Sequence, residues 1–273
     1  MRLNLESVSI SKIVKLNNLK LFADNILQVV SPSILVAGCG TGQQSIDIAT
    51  TYKNSKVLAI DLSLSSLAYA KRKSQELGIA NIEYMQADIL DINKLSRQFD
   101  IVDCGGVLHH MENPMAGWEV LTNCLKPGGL MRIGLYSELA RKDINTIRQE
   151  IVEQKIGMDV ESIKAFRNTL MKSNKLHHKK VFSSNDFYSL SESRDLLFHV
   201  KEHQFTLPQI DKSLSELGLK FCGFKQDRII KGAFTLEYPE IDSIYNLEKW
   251  STFEKENPHI FGGMYQFWCQ KIS

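Results

Sequence analysis

The chain has little of what marks a membrane protein, a secreted protein or a metal-binding protein. Its 273 residues contain no apolar run of the roughly 18 residues that a membrane-spanning helix needs. Residues 1–11 include one arginine but lack the apolar stretch and small-residue cleavage site of a signal peptide. The five cysteines are scattered and never form a Cys-x-x-Cys pair, so we expect free thiols, no metal site and a cytoplasmic location.

An excess of charge of one sign is also missing. The 33 Lys and Arg nearly balance the 31 Asp and Glu, and the net charge of +2 does not favour a nucleic acid or a membrane as partner. Residues 162–185 are a local exception, because they hold six basic side chains and no acid. Two interpretations are open: a footprint for an acidic or nucleic-acid acceptor, or a solvated helix face and loop, which we favour.

The hydrophobic pattern predicts alternating strands and helices. Apolar residues at three- and four-residue steps favour one N-terminal helix over residues 12–30. Strands are then predicted at residues 34–37, 56–60, 81–85, 99–104 and 130–135, and helices at 43–52, 63–77 and 113–125. This alternation is typical of an α/β protein with a doubly wound, mostly parallel sheet, which binds ligands at the carboxyl ends of its strands.

The pattern changes after the fifth predicted strand. Residues 137–206 are polar and helical in character, and a block of about 70 residues at that point is typical of a cap over a binding site. A helix at 208–217 and strands at 219–224 and 264–272 follow. We therefore predict four parts: an N-terminal helical extension (1–31), a ligand-binding core (32–136), a helical insertion or lid (137–206), and a last helix with strands that complete the sheet (207–273).

A glycine-rich loop follows the first predicted strand and opens a helix. It reads Gly38-Cys39-Gly40-Thr41-Gly42-Gln43, and its glycines allow a tight turn and the close approach of a ligand to the backbone. The N-terminal amides of the helix then face the ligand. Dinucleotide-binding folds usually have Gly-x-Gly-x-x-Gly, whereas the spacing here is Gly-x-Gly-x-Gly.

Acidic residues end the next two predicted strands. Asp61 follows the second strand, where a carboxylate accepts hydrogen bonds from both hydroxyls of a ribose. Asp88, within Ala87-Asp88-Ile89, follows the third strand, where an acid meets the exocyclic amine of adenine. The loop and the two acids together indicate an adenosine-containing cofactor.

Residues 34–135 resemble the class I S-adenosylmethionine (SAM)-dependent methyltransferases. Beside the loop and the two acids, the matching segments are Phe99-Asp100-Ile101-Val102, Val107-Leu108-His109-His110-Met111 and Leu125-Lys126-Pro127-Gly128-Gly129. The resemblance implies a seven-stranded sheet with an antiparallel last strand, SAM as cofactor and S-adenosylhomocysteine as product. The cofactor-binding residues that it implies are Gly38, Cys39, Gly40, Thr41, Gly42, Gln43, Asp61, Leu62, Ala87, Asp88, Ile89, Gly105 and Val107.

The match beyond residue 135 is narrower. Leu135-Tyr136-Ser137-Glu138 and the segment 194–199 are similar to bacterial type-11 and type-12 methyltransferase domains, some of which accompany tetratricopeptide repeats. No such repeat is visible in this chain. This likeness does not identify an acceptor.

The candidates for a catalytic role are His109, His110, Tyr136 and His199. Either of the first two histidines could take a proton from the acceptor and Tyr136 could orient it, with packing as the alternative for each. In the insertion, Asp195, His199 and His203 could face the acceptor. The two histidines are four residues apart, which places them on one face of a predicted helix.

Methyl transfer requires acceptor, methyl carbon and sulfur to be aligned and water to be excluded, and it requires a base only if the acceptor loses a proton. Tyr136-Ser137 follows the fifth strand in place of carboxylates that would hold a divalent cation, so no metal is expected. We favour a small molecule, a peptide or a protein as acceptor. RNA methylation through residues 162–185 and SAM binding without catalysis are the alternatives, with an NAD-dependent oxidoreductase more remote. Neither a membrane partner nor an oligomeric state is predicted.

Overall fold

The computed structural model of the chain describes residues 7–182, 184–198 and 202–272. The strands are β1 (Ser33–Ala37), β2 (Lys56–Asp61), β3 (Ile82–Gln86), β4 (Phe99–Gly105), β5 (Leu125–Tyr136), β6 (Leu219–Phe224) and β7 (Met264–Lys271). The α-helices are α1 (Ile10–Asn17), α2 (Gln43–Thr51), α3 (Leu64–Glu76), α4 (Pro114–Asn123), α5 (Lys142–Glu153), α6 (Val160–Lys172), α7 (Leu176–Val181), α8 (Leu190–Phe198), α9 (Leu207–Glu216), α10 (Arg228–Glu237) and α11 (Leu247–Glu256). Across the described ranges, no helix combines the length and apolar character needed to cross a membrane.

The seven strands form one sheet in the order β3-β2-β1-β4-β5-β7-β6. Strands β1 to β5 pair in parallel, and β7 runs antiparallel to both β5 and β6. The predicted α/β, doubly wound, seven-stranded sheet of the class I methyltransferase fold is confirmed, including its antiparallel last strand. Since β1 lies between β2 and β4, the strand order reverses there, which is where open α/β sheets bind ligands.

Several helix starts have the caps that their sequences indicate. The Ser63 hydroxyl caps α3, and the Asn113 side chain caps α4 with Pro114 as the first helical residue. Thr206 and Gln209 form a reciprocal capping box at the start of α9. These side chains bind backbone amides that lack partners in a first helical turn, so each helix begins at a defined residue.

The single helix predicted for residues 12–30 is wrong. Helix α1 ends where Asn18 adopts the left-handed conformation, with φ of 52°. The N–H groups of Phe22 and Ala23 then donate to Oε1 of Gln270 on β7, at 2.7 and 3.1 Å. This contact with a buried side chain far along the sequence outweighs the local helical periodicity.

Residues 126–129, which separate the helix predicted at 113–125 from the strand predicted at 130–135, lie inside β5 rather than in a turn before it. The pairing of β4 with β5 shifts register between Phe99 and Ile101, so these residues form an irregularity within the strand. Gly128 has φ of 76°, and a Cβ there would lie 2.0 Å from Oδ1 of Asn25. The position therefore requires glycine, but as part of a strand.

A buried ion pair joins the centres of β4 and β5. Asp103 and Arg132 face each other in the strand register and are 2% and 7% exposed. Arg132 binds in a bidentate manner: its Nη2 donates to Oδ1 of Asp103 at 2.9 Å and its Nε donates to Oδ2. Either charge alone would be costly at this depth, so each residue depends on the other.

The segment 137–206 contains helices α5 to α8, which bury an apolar cluster of their own that includes Ile147, Phe166 and Leu197. The division of the chain into four parts stays a prediction. Helices α10 and α11, between β6 and β7, were not predicted. They pack through the stacked rings of Phe234 and Trp250, whose centroids are 3.9 Å apart.

We expect Arg132→Met to lower the free energy of unfolding by about 3–5 kcal/mol, because it leaves the Asp103 carboxylate buried without its partner. Urea denaturation followed by circular dichroism measures this loss. The double variant Asp103→Val/Arg132→Met should lose less than Arg132→Met alone, since no charge remains. A single variant as stable as the parent protein would contradict this view of the pair.

Candidate active site

The glycine loop joins β1 to α2 at the carboxyl edge of the sheet. The backbone N–H groups of Gly38 and Cys39 both donate to the carbonyl of Ile60 on β2, at 2.9 Å. Gly38, Gly40 and Gly42 all have positive φ, from 51° to 93°, a conformation that glycine adopts without strain. A Cβ on Gly40 would meet no atom within 4 Å, so open space lies beside the loop.

The other three residues of the loop differ in exposure. Thr41 and Gln43 have exposed side chains at the start of α2, where first-turn amides are available to a ligand. Cys39 is buried among apolar side chains, and burial, together with the nearby charge of Asp61, raises the pKa of its thiol to about 12. Cys39 therefore supports the loop as a packed, neutral thiol.

Asp61 ends β2 and is held by two backbone amides. Gly40 N donates to its Oδ2 and Ser63 N donates to its Oδ1, both at 2.8 Å. A carboxylate has about four acceptor positions, so two remain for further donors, which suits the predicted contact with ribose hydroxyls. The neighbouring Leu62 is exposed, and its carbonyl accepts a hydrogen bond from Gln86 at 2.9 Å.

Ala87, Asp88 and Ile89 follow β3 at the same edge. The N–H of Ala87 donates to the carbonyl of Asp61 at 3.3 Å, which places this segment beside the end of β2. Oδ1 of Asp88 accepts the N–H of Leu90 at 2.9 Å and caps a short 3₁₀ helix, while Ile89 is buried. A contact of Asp88 with adenine stays a prediction.

The end of β4 contacts the glycine loop. A Cβ added to Gly38 would lie 2.3 Å from Cγ2 of Val107, so the two segments touch where glycine leaves room. Gly105 is exposed, and a Cβ there would meet nothing within 4 Å. All the residues predicted to bind the cofactor therefore lie at one edge of the sheet, at the ends of β1 to β4.

His109, His110 and Tyr136 form an aromatic group at the ends of β4 and β5. His109 is fully buried, and its ring centroid lies 3.8 Å from that of Tyr136. His110 is partly exposed and meets the rings of His109 and Tyr136 edge-on, at 4.3 and 5.8 Å. Burial raises the pKa of the Tyr136 hydroxyl, so it is neutral at pH 7.

A cavity of about 450 Å³ opens beyond Tyr136, between the end of β5 and the helices of the segment 137–206. Met264 also lines it, and a Cβ on Gly106 would lie 3.7 Å from the terminal methyl of Met264. The cavity is therefore next to the end of β4 and the segment after it, which contain Gly105 and Val107, two of the residues predicted to bind the cofactor. This position suits an acceptor site.

His203, which was predicted to share a helix face with His199, does not lie in a helix. Helix α8 ends at Phe198, and His203 lies in the non-helical segment that follows, with an exposed side chain. Its N–H donates to the carbonyl of His109 at 2.8 Å, which ties this segment to the end of β4. His199 lies outside the described residues, and Asp195 is exposed on α8.

Acids of α5 pair with part of the basic stretch 162–185. Nζ of Lys175 lies 2.7 Å from Glu150, and Nζ of Lys180 lies 2.9 Å from Asp143. These pairs connect α5 with α7 and with Lys175, the residue just before α7. They support the interpretation of the stretch as a structural surface rather than as a nucleic-acid footprint.

Glu150, His177 and His178 are the residues with metal-ligating side chains that converge within the described ranges. Nε2 of each histidine lies 3.0 or 2.6 Å from a Glu150 carboxylate oxygen, and Lys175 occupies the same carboxylate. Partial burial opposes ionisation, but hydrogen bonds from these three side chains lower the pKa of Glu150 to about 2. An ammonium group already holds the carboxylate, so the absence of a metal stays our expectation.

A buried charged group beside Tyr136 was not predicted. The Arg141 guanidinium carbon lies 3.4 Å from the centroid of the Tyr136 ring. Nε of Arg141 lies 3.6 Å from Oε1 of Glu202, and Nη2 of Arg148 lies 2.8 Å from Oε2. No local motif marks this group, because Glu202 is far from both arginines in sequence.

A second buried carboxylate anchors the residue after Tyr136. Glu254 on α11 accepts hydrogen bonds from the hydroxyls of Ser137 and Tyr265, at 2.7 and 2.8 Å. Burial raises the pKa of this carboxyl. The contacts connect α11 with the end of β5 and the start of β7, and so fix the strand end that carries Tyr136.

The chain is similar to known methyltransferases in sequence and in fold. Residues 34–129 match the family described as a methyltransferase domain. An uncharacterised protein of Synechococcus sp. is 29% identical over 83% of this chain, and the demethylmenaquinone methyltransferase of Oceanobacillus iheyensis is 30% identical over 33% of it and 39% of its own length. The structure of PKMT2 from Rickettsia typhi, solved also in complex with AdoHcy, superposes with a TM-score of 0.68 at 19% identity over 94% of this chain.

The chain spans about half the length of the relatives that it matches over most of its own length. It covers 57% of the Synechococcus protein and 51% of the PKMT2 chain. The likeness to PKMT2 shows a shared fold. The matched family model shows that residues 34–129 are a methyltransferase domain, and the strand order is that of the class I fold.

We expect Asp61→Ala to weaken the binding of S-adenosylhomocysteine at least tenfold, because a hydrogen bond to a charged group contributes about 1.5–3 kcal/mol. Isothermal titration calorimetry measures this affinity. Asp242→Ala is the matched control, since Asp242 is an exposed acid paired with Lys20 at 3.1 Å. Equal affinity of Asp61→Ala and the parent protein would show that Asp61 does not bind the ribose.

Proposed function

We propose that the chain, through its class I SAM-dependent methyltransferase domain, transfers a methyl group from SAM to an acceptor bound in the cavity beyond Tyr136. The observation that carries the proposal is that a space for the cofactor and a cavity for the acceptor lie next to each other. The open space beside Gly40 and Asp61 suits the cofactor, and the cavity lined by Tyr136 and Met264 lies at the same edge of the sheet. The methyl group on the sulfur of a SAM molecule bound in the first space would then point toward an acceptor in the cavity.

The chemistry asks little of the protein beyond alignment and exclusion of water. The segment 137–206 supplies one wall of the cavity, through residues such as Ile144, Val181 and Leu196. An acceptor held there is shielded from solvent on the side of the insertion. Its accepting atom then approaches the methyl group along the line of the carbon–sulfur bond.

A base is needed only for an acceptor that loses a proton. His109 is fully buried and its ring lies against Tyr136, which supports a packing role. His110 and Tyr136 are partly exposed and are better placed to meet an acceptor. Tyr136 also lines the cavity directly, so we assign it the orienting role.

A small molecule, or a side chain of a peptide or protein, fits the cavity as acceptor. Its volume of about 450 Å³ is within the range of small-molecule sites. RNA is less favoured because Lys175 and Lys180 of the basic stretch already pair with acids. SAM binding without catalysis is less favoured because the glycine loop and Asp61 are intact beside a cavity.

Incubation with methyl-labelled SAM and fractionated cell extracts tests the proposal. Label should pass to a small-molecule or peptide fraction, and Gly40→Val should abolish the transfer because the added side chain enters the open space beside the loop. Label in ribonuclease-sensitive material would instead support the RNA alternative. No transfer to any fraction, with SAM bound, would favour a domain that binds the cofactor without catalysis.

We expect Tyr136→Phe to slow methyl transfer at least tenfold while leaving S-adenosylhomocysteine affinity unchanged. The substitution keeps the ring that packs on His109 and Arg141 but removes the hydroxyl that would orient the acceptor. The rate with labelled SAM and calorimetry separate the two effects. Tyr69→Phe, on the exposed face of α3, is the control. An unchanged rate for Tyr136→Phe would restrict Tyr136 to packing.

A further inference from the structure

We propose that Arg141 binds a carboxylate of the methyl acceptor, so that the acceptor is an acidic molecule. The inference rests on the proposed methyl transfer and adds the charge class of the substrate. It depends on four features of the cavity beyond Tyr136. The buried Arg141 side chain lacks hydrogen-bond acceptors, and the buried charges around it leave one positive charge in excess. A helix begins at the same place, and the acids that line the cavity are either paired with a lysine or exposed to solvent.

Arg141 is buried but incompletely hydrogen-bonded. The residue is 3% exposed, yet among the described residues its Nε and Nη1 atoms have no hydrogen-bond partner. The nearest carboxylate oxygen, Oε1 of Glu202, lies 3.6 Å from Nε, beyond hydrogen-bond distance. Buried N–H groups of a guanidinium are costly to leave without acceptors, so the site is completed by oxygen atoms from a ligand.

The buried charges around Arg141 do not balance. Glu202 is shared by two arginines, and its Oε2 is held by Arg148 at 2.8 Å. Arg148 is satisfied further by the carbonyl of Leu196, at 2.7 Å. One positive charge therefore remains, and it is on Arg141, the arginine that lines the cavity.

The start of α5 adds to the positive potential at the same place. Arg141 is the N-cap residue of this helix, and Asp143 and Ile144 of its first turn also line the cavity. The amide groups at the N-terminus of a helix carry partial positive charge, which stabilises an anion nearby. A carboxylate bound by Arg141 would lie close to these amides.

The acids that line the cavity do not neutralise the buried positive charge of Arg141. Asp143 is paired with Lys180 at 2.9 Å, and Asp186 is an exposed residue. Charge in solvent is screened, whereas a buried charge acts through a lower dielectric. A cationic acceptor would therefore meet the buried like charge of Arg141, whereas an acidic one would be attracted by it.

The bound carboxylate serves as a handle rather than as the methyl acceptor. Its oxygen lone pairs are engaged by guanidinium N–H groups, which lowers their nucleophilicity. The methyl–sulfur bond breaks with its electron pair kept by sulfur, and another nucleophilic atom of the acceptor forms the new bond to carbon. Any proton on that atom passes to a base or to solvent.

Binding of simple acids tests the assignment without requiring methyl transfer. The probes are three pairs, benzoate with benzamide, phenylacetate with phenylacetamide, and succinate with succinamide, at millimolar concentration with S-adenosylhomocysteine bound. Saturation-transfer NMR should show that at least one acid binds and its amide does not. Arg141→Met should weaken the binding of that acid at least tenfold.

Two further variants exclude an indirect effect. Lys142→Met removes one exposed positive charge at the adjacent position and should leave acid binding unchanged. Arg141→Lys keeps the charge but loses the planar fork, so it should restore part of the binding that Arg141→Met loses. Acids and amides binding equally, no acid binding at all, or full acid binding by Arg141→Met would each overturn the proposal. If the parent protein does not bind S-adenosylhomocysteine, the result counts against the proposed function rather than against the role of Arg141.

Discussion

The contact between the ends of β1 and β4 is the constraint on which the cofactor site depends. The strand order reverses at β1, so the loops after β1 and β4 leave the sheet side by side. Val107 packs where a Cβ of residue 38 would stand, and only glycine permits this approach. The glycine loop in turn donates to the carboxylate of Asp61 through Gly40, so three strand ends hold one another in place.

The acceptor side depends on a second set of contacts, between distant segments. The backbone of Phe205 donates to the carbonyl of Tyr136 at 2.9 Å, and His203 donates to that of His109 at 2.8 Å. These hydrogen bonds attach the last residues of the insertion to the end of β5 and to the segment that follows β4. The cavity therefore forms where the carboxyl edge of the sheet meets the helices of the segment 137–206, with Arg141 buried at the junction.

Local signals made most of the sheet and the cofactor side predictable from sequence. Strand and helix alternation, the caps at Ser63 and Asn113, and the positions of Asp61 and Gly38–Gly42 at strand ends all act over short distances. The failures involve distant partners or irregular strands. The side chain of Gln270 accepts a hydrogen bond from the backbone of Phe22, far away in sequence. A register shift places the glycines at 128–129 inside β5. The ion pair of Arg141 with Glu202 joins residues near the two ends of the insertion.

The central claim is that the edge formed by β1, β2 and β4 binds an adenosine cofactor with a sulfonium or thioether rather than a dinucleotide. Calorimetric titration of the parent protein with SAM, S-adenosylhomocysteine and NAD tests it most directly. Micromolar binding of the first two compounds, with none of NAD, is the expected result. Binding of NAD in preference to either would contradict the assignment of the site.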